Sequence, residues 1–499
     1  MKRILCILLA LLILSTVSCT DNNSASSETA GNQADASISE DTTTENQNTP
    51  EETVPVYDSG DANFDGYAFR IMNYESYVST YLLLAPDEQT GEALNDIIYE
   101  RNSKAEETLN FVLQEIREPY TGWGSSQIAL CDNVIQSVTA NDNAYDAAYL
   151  PVSFKSSIIT DGYLMDLNTI PGLHVYESYW DAPLNHDMTI NGKLFAASGP
   201  LNLCSLGLSD VLLFNENMFK TLNLSLPYDH VRNNTWTLDT LAEYVQETTN
   251  LNGASDFEYD QSAQTVYGIA GHSDKPYALL YGAGCYLVRK DNDTVTLGIE
   301  EEHLYNAAES IAQIMKKSMG QVIFNNSDSA PGGYTNLFAS DRAAFITCEL
   351  KTVNVLRDMD SSFGLLPMPK YDQSQEDYHS SVSANSLFLT IPKSQTDPAR
   401  AALILDYLHY YSYHNSLPVY YNVTVSHKGL RNEESIEMLD IVYNSRGIEF
   451  SQIFGATIGW VTAFNNQIVN ENLTLASTSA SNKNSILRSM EAIFASLGE

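Results

Sequence analysis

From Tyr67 onward, short apolar runs alternate with amphipathic stretches, and that alternation restricts the chain to layered α/β folds. Tyr67–Met72, Phe111–Glu115 and Tyr145–Leu150 read as strands, the last ending at Pro151. Ala93–Leu109 places Leu94, Ile97, Ile98 and Ala105 near one helical face, and Gln127–Thr139 reads as a second helix. Val211–Asn215 is a strand running into a helix from Glu216. Another helix begins near Trp236 with Thr237 or Thr235 as N-cap. Phe338–Ile346 passes from helix to strand, and Phe363–Leu366 is a short strand. Tyr305–Lys317 and Pro398–Tyr410 are helices, Pro398 being compatible with a first turn. This body of about 440 residues is long enough for two domains. It contains no second low-complexity linker, so the chain is expected to cross between two lobes more than once.

The body is preceded by a different kind of sequence. Met1-Lys2-Arg3 is basic, Ile4–Leu14 is almost wholly apolar, and small residues lead to Cys19, a signal-peptide pattern over residues 1–18. About eleven apolar residues are too few to cross a bilayer core of roughly 30 Å. The segment Ser15-Thr16-Val17-Ser18-Cys19 resembles the bacterial lipobox, which implies that Cys19 is acylated and palmitate-bearing. Residues 20–55 hold no Lys, Arg or aromatic residue and are expected to stay disordered. Residues 19–55 would then be a lipidated tether with a reach of about 30–36 Å, holding the body at the extracellular face of the cell membrane.

Twenty-six Lys and Arg face 63 Asp and Glu, a net charge of −37. Such a surface is repelled by phosphate backbones, which excludes nucleic acid as a partner. No GxSxG, HExxH, GxxxxGK[ST] or strand-linked GxGxxG occurs, so no catalytic residue, metal or cofactor is assigned. His409 and His414 are five apart, a poor spacing for a shared metal. Asp61, Asn63 and Asp65 with Gly66 match the opening of a calcium loop. Position twelve, however, is Met72 instead of Glu, and a turn into the first strand is the better reading. Cys131, Cys204, Cys285 and Cys348 are expected as four buried thiols, disulfides being permitted after export.

Thirty Tyr and four Trp are present, many in strand-to-helix loops: Tyr74, Tyr77, Trp123, Trp180, Tyr277, Tyr281, Tyr420, Tyr421 and Trp460. Flat amphipathic rings suit the mixed faces of sugars, although core packing competes for each of them.

Several segments, in order, resemble the extracellular solute-binding proteins of ABC importers, the sugar-binding group that includes maltose-binding protein. Tyr145-Asp146-Ala147-Ala148 with Asp161-Gly162-Tyr163-Leu164-Met165-Asp166-Leu167 is one. Gly192-Lys193-Leu194-Phe195 with Leu213-Phe214-Asn215-Glu216 is another. Thr235-Trp236-Thr237-Leu238, Phe338-Ala339-Ser340-Asp341-Arg342-Ala343-Ala344 and Phe363-Gly364-Leu365-Leu366-Pro367 follow, with Asp341 where the family usually has Gly. The resemblance covers nearly all of Phe64–Leu497. It implies a two-lobed α/β fold of the type II periplasmic-binding-protein kind, mixed sheets flanked by helices, with crossovers near Leu201–Leu206 and Ser381–Ser386. Residues 56–203 plus 381–425 would form lobe 1, and residues 204–380 plus 426–499 lobe 2.

The resemblance also implies ligand contacts. Tyr74 and Tyr77 follow the first strand, and Ser153 occupies a polar contact position. Tyr277 matches a cleft-lining Tyr, and Trp460 a Trp on which a sugar ring stacks. Glu349 and Lys351 lie in a loop that lacks the family's usual aromatic. The implied activity is capture of a mono- or oligosaccharide by a monomer and its delivery to permease subunits, with no bond made or broken. A secreted hydrolase acting on glycans and an adhesion module are the alternatives.

Overall fold

The turn Asp61–Gly66 delivers the chain into its first strand. Asn63 Oδ1 accepts the Asp65 N–H at 2.9 Å and an Asn110 Nδ2 hydrogen at 2.8 Å. Asp65 (φ 51) and Gly66 (φ 73) are left-handed. The Asn63 oxygen that a calcium loop would need therefore closes a turn. A computed structural model describes residues 56–75, 83–257, 263–291, 294–325, 333–425 and 433–498. Cys19 and Tyr77, together with residues 1–55, lie outside the described residues.

Nine of the described strands build two sheets: β1 (Tyr67–Tyr74), β2 (Phe111–Glu118), β3 (Ala147–Leu150), β4 (Asp210–Asn215), β5 (Tyr267–Gly271), β6 (Val322–Phe324), β7 (Ala343–Glu349), β8 (Phe363–Leu366) and β9 (Phe388–Thr390). The first sheet has the order β9-β3-β1-β2, parallel except for β9. The second has the order β8-β4-β7-β5-β6, in which β4 runs against both neighbours. Strands β3, β4 and β8 are buried along their whole length. That is the pattern expected where helices cover both faces.

The helices hold to their sheets. Ala93–Leu109 packs on β2 and on Pro398–Tyr411, while Ser125–Ala140 packs on β3. Leu238–Thr248 packs on β5, Tyr334–Ala339 on β7 and Glu433–Asn444 on β8. Thr237 caps the helix Leu238–Thr248, its hydroxyl accepting the Thr240 N–H at 3.4 Å. Asp341 stands between Tyr334–Ala339 and β7 with φ 56. Such a left-handed conformation is one that glycine adopts at no steric cost and that Asp tolerates better than most residues. The Asp341 carboxylate anchors the turn, accepting from Asn215 Nδ2 at 2.5 Å and from Ser361 Oγ at 2.9 Å.

One helix is shifted from its expected position. The stretch expected to be helical over Tyr305–Lys317 is helical over Glu302–Ile314, and Lys317–Met319 forms a separate 3₁₀ turn. Gly320 at φ 69 closes that turn. Cys131, Cys204, Cys285 and Cys348 are all buried free thiols. Burial pushes the first three up to about 12.

Candidate ligand cleft at the facing carboxyl edges

Among the described residues, two segments link strands of one sheet to strands of the other. The first leaves through Leu201–Ser209, where Cys204–Gly207 makes one helical turn. The second returns through Val382–Leu387 to β9. They run side by side: the Ser383 N–H donates to Leu208 O at 3.0 Å, and Ser209 bridges to Val382. Each segment also touches an expected site residue. The Lys351 N–H donates to Gly207 O at 2.9 Å, and the Ser153 hydroxyl donates to Ala384 O. Ser153, Glu349 and Lys351 are thus gathered around one pair of crossing segments. The sequence places Ser153 and Lys351 almost two hundred positions apart.

Around this crossing the carboxyl ends of the parallel strands come into view. This is the edge at which open α/β sheets bind ligands. On the first sheet, Tyr74 ends β1 and its ring lies 6.2 Å from that of Tyr120 beyond β2. Beyond them, Trp123 lies edge-on to Phe154 with centroids 5.5 Å apart. Trp123 is 62% exposed and Phe154 half-buried, so this shelf of rings is offered to solvent. The turn Val152–Lys155, which carries Ser153 and Phe154, packs on the turn Gly455–Ile458 immediately before Trp460. Trp460 itself is only 2% exposed, and among the described residues its indole N–H has no hydrogen-bond partner.

The second sheet contributes charge. Lys275 Nζ lies 2.9 Å from Asp210 Oδ1 at the start of β4 and 3.2 Å from Glu349 Oε1 at the end of β7. Lys351 Nζ reaches the other Glu349 oxygen at 2.9 Å, and His272 Nδ1 lies 2.8 Å from Asp274. Burial by itself would lower Lys275, but the Asp210, Asp274 and Glu349 charges outweigh it and hold the ammonium well above the ordinary lysine range. Burial would likewise raise Glu349, yet Lys275 and Lys351 keep its carboxyl below the usual value. Burial raises Asp210 as well, against the pull of Lys275 and Ser381. Within this charged cluster Glu349 and Lys351 keep open surface, their side chains 13% and 23% exposed, and these two can hydrogen-bond a hydroxyl.

Other expected residues sit deeper. The Tyr277 hydroxyl is committed to Glu449, and its N–H donates to Asn465 Oδ1 at 2.8 Å. Trp180 stacks on His409 with ring centroids 3.5 Å apart and donates Nε1–H to Asp406 at 2.8 Å. Tyr281 is core as well. No motif marks Asp210, Lys275, Tyr120 or Phe154 as site residues. A charged residue opening the apolar run Asp210–Asn215 was a usable signal, because a buried acid demands a partner. A separate small recess lies at the crossing and is lined by Asp181, Asn202, Ser205 and Arg446 among others.

No protein-family profile matches the chain, and no curated protein sequence matches it. Solved structures do. The galacto-N-biose/lacto-N-biose I-binding protein of the ABC transporter from Bifidobacterium longum, in complex with lacto-N-biose, aligns with TM-score 0.56 at 12% identity, covering 86% of this chain and 98% of that one. The GacH receptor of Streptomyces glaucescens, solved unliganded and with acarbose, aligns with TM-score 0.54 at 14% identity, covering 85% and 99%. An ABC substrate-binding protein from Listeria monocytogenes, in complex with cycloalternan, aligns with TM-score 0.53 at 12% identity, covering 86% and 100%. The fold is the two-lobed one of maltose-binding-protein-like solute-binding proteins. In that fold the two sheets described above are the cores of the two lobes.

Proposed function

We propose that the chain is a lipid-anchored solute-binding protein that captures a mono- or oligosaccharide between its lobes and hands it to an ABC permease. The observation that carries this reading is the pairing of an exposed aromatic shelf on one carboxyl edge with a fixed polar wall on the other, joined by two crossing segments. Rings of Tyr74, Trp123 and Phe154 offer flat faces to the apolar side of a pyranose. Ser153, Glu349 and Lys351 offer hydrogen bonds to its hydroxyls, and Trp460 and Tyr277 back the interior. The sugar-bound state of several proteins sharing the fold supports a carbohydrate as the solute. Lobe 1 comprises residues 56–203 and 381–425, and lobe 2 residues 204–380 and 426–499. Tyr77, three positions beyond Tyr74 in the sequence, joins the ligand contacts, and Cys19 bears the lipid that holds the monomeric protein at the outer face of the membrane. Among the described residues no helix is long and apolar enough to cross a membrane.

No chemical step is assigned, because the buried acids Asp210 and Glu349 are held by lysines instead of being poised as a proton donor and acceptor. A thermal-shift and product assay on one panel of neutral glycans tests this. Stabilisation with the glycan recovered intact supports capture, whereas turnover abolished by a single carboxylate substitution supports a hydrolase.

A further inference from the structure

The short helix Ala182–Met188 belongs to the first lobe by its anchorage. Asn185 Nδ2 donates to Val175 O at 2.7 Å and to Ser198 O at 3.1 Å, and the neighbouring Ala197 bridges to Leu389 of β9. Yet both ends of this helix are held by the second lobe. At its start, Asp181 does not cap the helix with its side chain; its Oδ2 lies 2.9 Å from Arg446 Nη2, and both side chains are buried. At its end, Lys290 Nζ donates to His186 O at 3.0 Å, to Asp187 O at 2.8 Å and to Thr189 O. A cation at a helix C-terminus satisfies carbonyls that have no partner within the helix.

Between these two grips, Asp187 Oδ2 accepts the Ile448 N–H at 3.1 Å. The approach is close enough that a Cβ on Gly447 would fall 2.7 Å from Asp187 Oδ2 and 2.2 Å from the Tyr281 hydroxyl. The second-lobe side of the contact is itself tied together. Glu449, next to Ile448, accepts the N–H groups of Leu287 at 3.1 Å and Val288 at 2.7 Å and the Tyr277 hydroxyl.

We propose that the helix Ala182–Met188 is an acid-strengthened clamp between the lobes, in which the charge on Asp187 sets how firmly Lys290 and the Arg446–Ile448 segment hold it. The inference rests on the hinged-lobe reading above. The groups facing Asp187 are Lys290, Asp181 with its partner Arg446, and the hydroxyls of Tyr281 and Tyr286. Burial pushes the Asp187 carboxyl up to about 6, against the pull of the Ile448 N–H and Lys290. When the lobes part, water returns and the group reverts towards the ordinary value near 4. A carboxyl with the higher pKa in the closed form takes up a proton on closing. The gain in closure is complete below about pH 4 and is lost as the pH rises through about 6.

The test uses the full chain with dyes on cysteines introduced at the exposed Lys104 and Arg357, one in each lobe. The buried native thiols stay unreactive. Energy transfer without sugar should report a closed-to-open ratio roughly tenfold higher at pH 5 than at pH 7, the logarithm of the ratio having its midpoint near pH 5. Asp187→Asn should stay closed and flat across that range. Lys290→Met, which removes the charge that lowers Asp187, should move the midpoint upward. A flat wild-type profile, a response that survives Asp187→Asn, or an unmoved midpoint in Lys290→Met overturns the clamp. Sugar-driven closure with a flat pH profile would remove the clamp and keep the capture function. A pH response with no binding of any glycan would do the reverse.

Discussion

Lys275 Nζ lies 2.9 Å from Asp210 Oδ1, and the two side chains are only 6% and 7% exposed. A buried pair of this kind adds little net stability, because desolvation offsets much of the attraction, but removing one member leaves the other charge uncompensated. Lys275→Met is expected to destabilise the fold by about 3–5 kcal/mol. The exposed pair Arg357–Asp358 provides the control, since its loss should cost less than about 1 kcal/mol. Denaturant midpoints of the two variants check the contrast. Equal effects would mean that the Lys275 site is wet.

Trp123 separates binding from stability. Its ring is exposed and touches Phe154 edge-on, so Trp123→Ala should leave the melting temperature almost unchanged. Loss of one stacking face costs about 1–1.5 kcal/mol, or roughly a tenfold weaker Kd. Calorimetric titration with a glycan that stabilises the wild type measures this. An unchanged affinity would remove the shelf from the site.

His409 gives a pH signature of stability. Burial lowers it to about 3, and its Nδ1 lies 2.8 Å from Leu405 O. The unfolded chain takes up this proton near pH 6.5, whereas the folded chain resists it down to about 3. The stability due to neutral His409 is therefore present above about 6.5 and is lost as the pH falls below it. Between pH 7 and pH 5 the loss should be about 2 kcal/mol. His409→Gln should lack that component when unfolding free energies of the two proteins are compared at both pH values.

Gly199 sits where the chain enters the first crossing. A Cβ there would lie 2.4 Å from His409 Cδ2 and 2.9 Å from Trp180 Cε3, two rings already stacked. Gly199→Ala is expected to lower stability by about 1–3 kcal/mol through overpacking, read as a drop in melting temperature. No drop would show that the stack can shift.

How much of this was legible in the residues depends on the range of the signal. Local patterns were readable: the helix Ala93–Leu109 and the strand Phe363–Leu366 have the bounds that their periodicity and flanking residues predict. The Thr237 cap and the turn before β1 were legible for the same reason. Aromatic residues were not separable by sequence. Trp180 and Trp123 both occupy loops, yet one is sealed against His409 and the other faces solvent. The partners of Lys275 were out of reach because Asp210 and Glu349 come from strands that meet only in the sheet. Tyr277 aligned with a cleft residue in the resembled family, but here its hydroxyl is spent on Glu449, a contact made across 172 positions.

The central claim is that a sugar is held, unaltered, between the facing carboxyl edges. Hydrogen–deuterium exchange of the protein with and without a stabilising glycan, followed by recovery of that glycan, addresses it directly. The account predicts slowed exchange at residues 120–124, 152–155, 272–277 and 349–351, with the glycan intact. Protection confined to other segments, or a cleaved glycan, would contradict it.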